Sequence, residues 1–229
     1  MTNRIETRPI AGSGHTIGLA ALLGTIGLLG AYGWAHREAS AGHARSAGSH
    51  AAMYVSALVF ELLLLRGVLG GLRKDAGGWR AVVGAGFLGC RGMLTDLALA
   101  LTAQAIWIAP AVIFGARNGS ATVSSALPKG ALDLTLWVAL SFGAGICEEF
   151  AFRGYFLRQL SALWRKPALA LAAQALLFGA IHAYQGPGGV LSTAMYGAML
   201  GLVTLWRGNT RSAMAAHTMT DLTAVLWMR

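Results

Sequence analysis

Charge is scarce in this chain. Asp, Glu, Lys and Arg together make up 12% of its 229 residues, while 55% are hydrophobic, and mean hydropathy is +0.57. So few charges cannot cover a globule of this length with a polar surface, which excludes an ordinary soluble domain. Cysteine is scarcer still. Cys90 and Cys147 are the two present, both in or beside apolar stretches and without CxxC spacing, so neither a disulfide framework nor a zinc knuckle is indicated. Internal repeats and low-complexity tracts are lacking as well. The first apolar run is longer than the core of a signal peptide and has no clear cleavage site before Trp34, so it reads as a retained first helix.

Apolar runs fill the space that charge leaves. They lie at about 16–35, 51–72, 93–115, 131–157, 168–183, 189–206 and 211–228, each near the roughly 20 residues that cross a bilayer as a helix. The expected fold is therefore all-α: a polytopic transmembrane helical bundle of about seven spans, forming a single integral membrane domain over residues 1–229. Residues 79–92 are short and flanked by Trp79, Arg80 and Arg91, which suits an interfacial or re-entrant segment and leaves an eighth span open.

The formal charge of +9 raises the question of nucleic acid, but the basic residues are dispersed between apolar runs and do not line an aromatic-rich face. No nucleic-acid partner is expected, and the lipid bilayer is. With the N-terminus cytoplasmic, twelve Lys and Arg fall on the inner side and five on the outer, with Arg153 inside a span, in accord with the positive-inside rule. Arg outnumbers Lys fifteen to three, a bias that together with heavy Ala and Gly use suggests a GC-rich genome and a bacterial cell membrane.

Ionisable residues within spans are costly and mark function by default. The fourth run carries Glu148 and Glu149 next to each other and Arg153 four residues on. Glu149 and Arg153 share a helix face in the favourable order for an ion pair, while Glu148 projects about 100° away and is left for other work. Taken alone, the less favoured reading of the pair is structural, with both carboxylates neutralised by arginines such as Arg153 and Arg158. The fifth run holds Phe178 and His182 one turn apart, and a lone helical histidine is as readily a packing residue as a reactive one. The seventh holds His217 and Asp221 one turn apart, which could be an acid fixing a tautomer. Three spans that each turn such groups inward make a shared site the better reading of the set.

The ordered motifs Glu-Glu-x-x-x-Arg, Phe-x-x-x-His and His-x-x-x-Asn/Asp, on successive helices over residues 131–229, resemble the CPBP family, which includes type II CAAX prenyl endopeptidases and bacteriocin-processing enzymes. The resemblance implies an intramembrane endopeptidase that cuts a membrane-associated or C-terminally anchored protein or peptide. It implies that Glu148 and His182 activate the attacking water, that Glu149 and Arg153 form a supporting pair, and that His217 with Asp221 stabilises the oxyanion. Asp221 departs from the Asn of the CAAX-processing members, and an ionised Asp accepts hydrogen bonds without donating them. A metal-free mechanism without cofactor is expected, because no HExxH-like pair sets two ligands on one helix. The alternative is zinc held by Glu148, His182, His217 and Asp221. Two other readings compete: a non-enzymatic immunity or scaffold relative, and a proton-coupled transporter using Glu61, Glu148, Glu149 and the histidines as a relay. The transporter reading lacks an evident inverted repeat.

Four further features stand out. His36, His43 and His50 recur every seven residues and are expected in a solvated loop. Glu61 is an acid in an otherwise apolar second span, expected to face the site or to pair with Arg66 or Arg153. Asp96 and Gln104 are expected to face the bundle interior. Gly186-Pro187-Gly188-Gly189 reads as a tight turn beside the site helix.

Overall fold

The structure is a computed structural model that describes residues 8–36, 48–73, 77–84, 89–114 and 121–227. Among these residues the chain is helical, apart from loops and one isolated bridge between Ala11 and Leu72. Helices α1 (Ser13–Ala35), α2 (Gly48–Gly71), the short α3 (Gly78–Val83), α4 (Gly89–Phe114) and the single turn α5 (Ala121–Ser125) make up the first half. Helices α6 (Ala131–Glu149) and α7 (Leu157–Trp164) follow, joined without a break by a π-helical segment, Phe150–Phe156. The chain ends with α8 (Pro167–Ile181), a short turn Ala183–Gln185, α9 (Gly186–Arg207) and α10 (Arg211–Trp227).

The polarity of the molecule is inverted relative to a soluble protein. Leu22, Leu28, Leu29, Leu62, Leu63, Leu101, Leu176 and Trp206 are exposed on the outside, while Glu61, Asp96, Glu148, Glu149, Arg153 and His217 are buried. Hydrocarbon tolerates the first set and penalises the second, so the helices enclose their charges. Five helical stretches are long and apolar enough to cross a membrane: Ser13–Ala35, His50–Gly71, Gly89–Pro110, Ala131–Trp164 and Ala183–Arg207.

All seven apolar runs contain a helix, but two of these helices fall short of a free-standing span. Helix α8 has 15 residues and α10 has 17. Helix α8 packs against α1, α7 and α9, and α10 against α4, α6 and α9. Helix α10, mostly enclosed by protein, need not satisfy the length and apolarity that lipid imposes, which is why it carries Ser212, His217, Thr218, Thr220 and Asp221. The segment expected to be interfacial splits in two, its first part forming α3 and its last residues opening α4. Gly186 to Gly189 form the first turn of α9, not a free turn. Proline at the start of a helix has no N–H to lose, which explains Pro187 there.

Two contacts set the helix positions that matter for the site. A Cβ on Gly145 would lie 2.1 Å from Thr218 Oγ1 and 2.8 Å from Thr218 N, so only glycine lets α10 approach α6 this closely. At the other end of the long helix, the buried Gln159 accepts from the backbone N–H groups of Ile10 and Ala11 at 2.8 and 3.1 Å, and donates to Ala11 O at 2.9 Å. That clamp fixes the entry to α1.

Candidate active site

Helix α6 and the π segment supply Glu148, Glu149 and Arg153. The wider π turn, frequent at functional sites, begins immediately after Glu149, and all seven of its residues are buried. Glu149 and Arg153 are fully buried. Glu149 Oε1 lies 2.8 Å from Arg153 Nη1 and also 2.8 Å from His217 Nδ1, so one carboxylate oxygen binds a guanidinium and an imidazole at once. The guanidinium stacks over Phe178, 4.2 Å from the ring centroid. Glu149 thus ties the π segment to α10, and Phe178 adds a cation–π contact from α8.

A carboxylate oxygen on Nδ1 accepts that N–H and leaves Nε2 of His217 for other work. Nε2 faces Glu148 Oε2 at 3.8 Å and Asp221 Oδ2 at 3.7 Å, beyond hydrogen-bond length in both cases. The imidazole is held edge-on by two aromatic rings, Phe178 at 6.0 Å and Tyr196 at 5.7 Å between centroids. Tyr196 OH meets Thr220 Oγ1 at 2.7 Å, and Thr220 continues to Gln104 on α4. Asp221 keeps a third of its side chain exposed, and its backbone carbonyl accepts from Trp137 Nε1 at 3.0 Å.

His182 caps α8. Its Nδ1 lies 2.8 Å from the carbonyl of Phe178. A carbonyl only accepts, so Nδ1 carries the hydrogen and Nε2 keeps its lone pair. The ring is within electrostatic reach of Glu148, His217 and Arg153. Ending the fourth span at 157 would set Glu148 much nearer the cytoplasmic side than His182, but the helix runs on to Trp164. Glu148 is then 16 residues from that end and His182 is 15 from Pro167, about 24 and 22 Å at 1.5 Å per residue. The two groups stand at one depth.

All six residues singled out in the sequence, Glu148, Glu149, Arg153, His182, His217 and Asp221, fall in this one region. Glu61 joins them from α2. It is buried within reach of Glu148 and pairs with neither Arg66 nor Arg153 in the contacts described. Among the described residues, no three His, Cys, Asp or Glu side chains are grouped so as to hold a metal ion. The alternative zinc set of Glu148, His182, His217 and Asp221 is not gathered in that way. The three histidines of the first loop also part company. His36 bonds to Tyr32 O, His43 lies outside the described residues, and His50 is buried in α2 with its Nδ1 3.3 Å from Asp133 Oδ2. A partner acid on α6 thus draws His50 out of solvent, contrary to the expected solvated loop.

A bundle of apolar-faced helices closed around carboxylates, imidazoles and a guanidinium is an integral membrane protein with a polar site between its helices. Residues 129–223 match the family model described as type II CAAX prenyl endopeptidase Rce1-like. The match covers that segment alone and agrees with the family that its ordered motifs resemble. No curated protein and no solved structure matches the chain.

Proposed function

We propose that the protein is a glutamic intramembrane endopeptidase in which Glu148 is the general base. The observation that carries this reading is the division of labour between the adjacent glutamates. Glu149 Oε1 is engaged by both Arg153 and His217 at 2.8 Å, while Glu148 has no cation within hydrogen-bond length, and its Oε2, like that of Glu149, is buried with no hydrogen-bond partner among the described residues. Water placed between Glu148 and Nε2 of His182 gives up a proton to Glu148 as its oxygen bonds to the peptide carbonyl carbon. The carbonyl oxygen becomes an oxyanion, which an imidazolium at His217 stabilises by donating from Nε2. Collapse breaks the C–N bond, and the proton held by Glu148 passes to the departing nitrogen. Glu149, Arg153 and Phe178 keep His217 in place, and no step is assigned to a metal.

The substrate class follows from the setting. A site about 20 Å from the helix ends at Trp164 and Pro167 admits a segment that is itself anchored in or at the bilayer, so the substrate is a membrane-associated or C-terminally anchored protein or peptide. The N-terminus is cytoplasmic and the cell membrane bacterial in this reading, on the charge asymmetry and composition given above. The test is cleavage of an anchored peptide in proteoliposomes by wild type and Glu148→Gln, each with and without a strong chelator. Loss of cleavage in the variant, with no effect of chelation on wild type, is the expected result. Equal cleavage by both proteins removes the assignment.

A further inference from the structure

Glu61 is 4% exposed in the middle of α2, the helix that packs along α6. It lies outside the segment 129–223 that matches the family, and neither the motifs nor the match gives it a role. Its side chain crosses α6 at Gly143, where an added Cβ would stand 3.9 Å from Glu61 Cγ and 3.2 Å from Leu58 Cδ2. From there its carboxyl group comes within side-chain hydrogen-bond reach of Glu148. Glu61 Oε2, like Glu148 Oε2, is buried with no hydrogen-bond partner among the described residues.

A hydrogen bond between two carboxyl groups requires one proton between their oxygens, so one of the pair donates and the other accepts. A glutamate has three side-chain torsions to fix, and a base must be held within a fraction of an ångström to be effective. Glu149 is fixed by Arg153 and His217, whereas Glu148 stands 3.8 Å from His217, too far for a hydrogen bond. Its partner is on α2.

We propose that Glu61 is a positioning residue for Glu148: its carboxyl group donates to one Glu148 oxygen and leaves the other aimed at the water. This inference rests on Glu148 acting as the base. The experiment compares wild type, Glu61→Met, Glu61→Ala, Glu61→Gln and Glu148→Gln on one fluorogenic peptide with a hydrophobic C-terminal anchor in proteoliposomes, with thermal unfolding in detergent measured for each. The two apolar variants leave a long and a short side chain at the site, and kcat is compared for those whose unfolding transition shows a folded protein.

The expected result is a kcat lower by about tenfold or more in the apolar variants with KM within about twofold. Glu61→Gln, whose amide N–H donates in place of the acid, should recover most of the rate. A purely structural Glu61 would show its loss in the melting temperature, with no rescue of kcat by Gln. Wild-type kcat in a folded apolar variant, or a Gln variant as slow as Met, overturns this inference while leaving the endopeptidase reading intact if Glu148→Gln is dead. Cleavage by Glu148→Gln overturns both.

Discussion

Burial without hydration makes each site contact asymmetric: removing one partner costs far more than the net worth of the pair. Arg153 and Glu149 are both fully buried, so Arg153→Met strands a carboxylate and should destabilise the protein by about 3–5 kcal/mol. Adding Glu149→Gln to Arg153→Met should return part of that stability, as followed by thermal unfolding in detergent. The two acids near His217 are predicted to differ sharply. Glu149 holds Nδ1 at 2.8 Å whereas Asp221 stands 3.7 Å from Nε2. Asp221→Asn should therefore keep kcat within about tenfold, while His217→Ala, which removes the oxyanion donor, should cost about 10²–10³. Activity measurements on the two variants decide between a ring set by Glu149 and one set by Asp221. The ion pair of Glu149 with Arg153 was legible from a spacing of four residues. The bond from Glu149 to His217 was not, because it joins residues 68 apart and depends on how α6 and α10 pack. Glu61 showed as an acid in an apolar run, yet nothing in its neighbours in sequence named Glu148 as its partner.

At the scale of helices, the site depends on close approach as much as on chemistry. Gly145 stands one turn before Glu149, and its missing side chain lets Thr218 and hence His217 come against α6. Gly145→Leu should drive α10 away and abolish cleavage with every reactive group intact, and the accompanying loss of thermal stability distinguishes this from a chemical defect. Seven helices could be read from apolar run length, since hydrocarbon imposes a period-free signal that needs no knowledge of tertiary contacts. Three boundaries could not. The fourth run continues to Trp164 through Tyr155, Arg158 and Gln159, polar groups that the bundle accepts because His15, Thr16 and the backbone of residues 10, 11 and 208 receive them. The π turn that places Glu149 and Arg153 has no distinctive composition. Helix α8 ends at Ile181, where His182 takes the C-cap and its Nδ1 turns back to the carbonyl of Phe178.

Considered whole, the molecule is a membrane-bound bundle that stores carboxylates from α2, α6 and α10, imidazoles from α8 and α10 and one guanidinium in a site screened from lipid by leucine-rich faces. Hydropathy and motif order were enough for the class and the family, since both are properties of the chain read in sequence. The fit of a metal was not readable in this way, because ligand residue types say nothing about how closely packing gathers them. The central claim is that Glu148 removes the proton from the attacking water without a metal. Its most direct test is single-turnover cleavage of an anchored peptide in proteoliposomes by wild type and Glu148→Gln, with wild type also assayed after chelation. The account predicts that wild type cleaves equally before and after chelation, while the variant binds the peptide but cuts it at least about 10²-fold more slowly. A Glu148→Gln enzyme that cuts at the wild-type rate, or a wild type that stops on chelation and restarts with zinc, would contradict it.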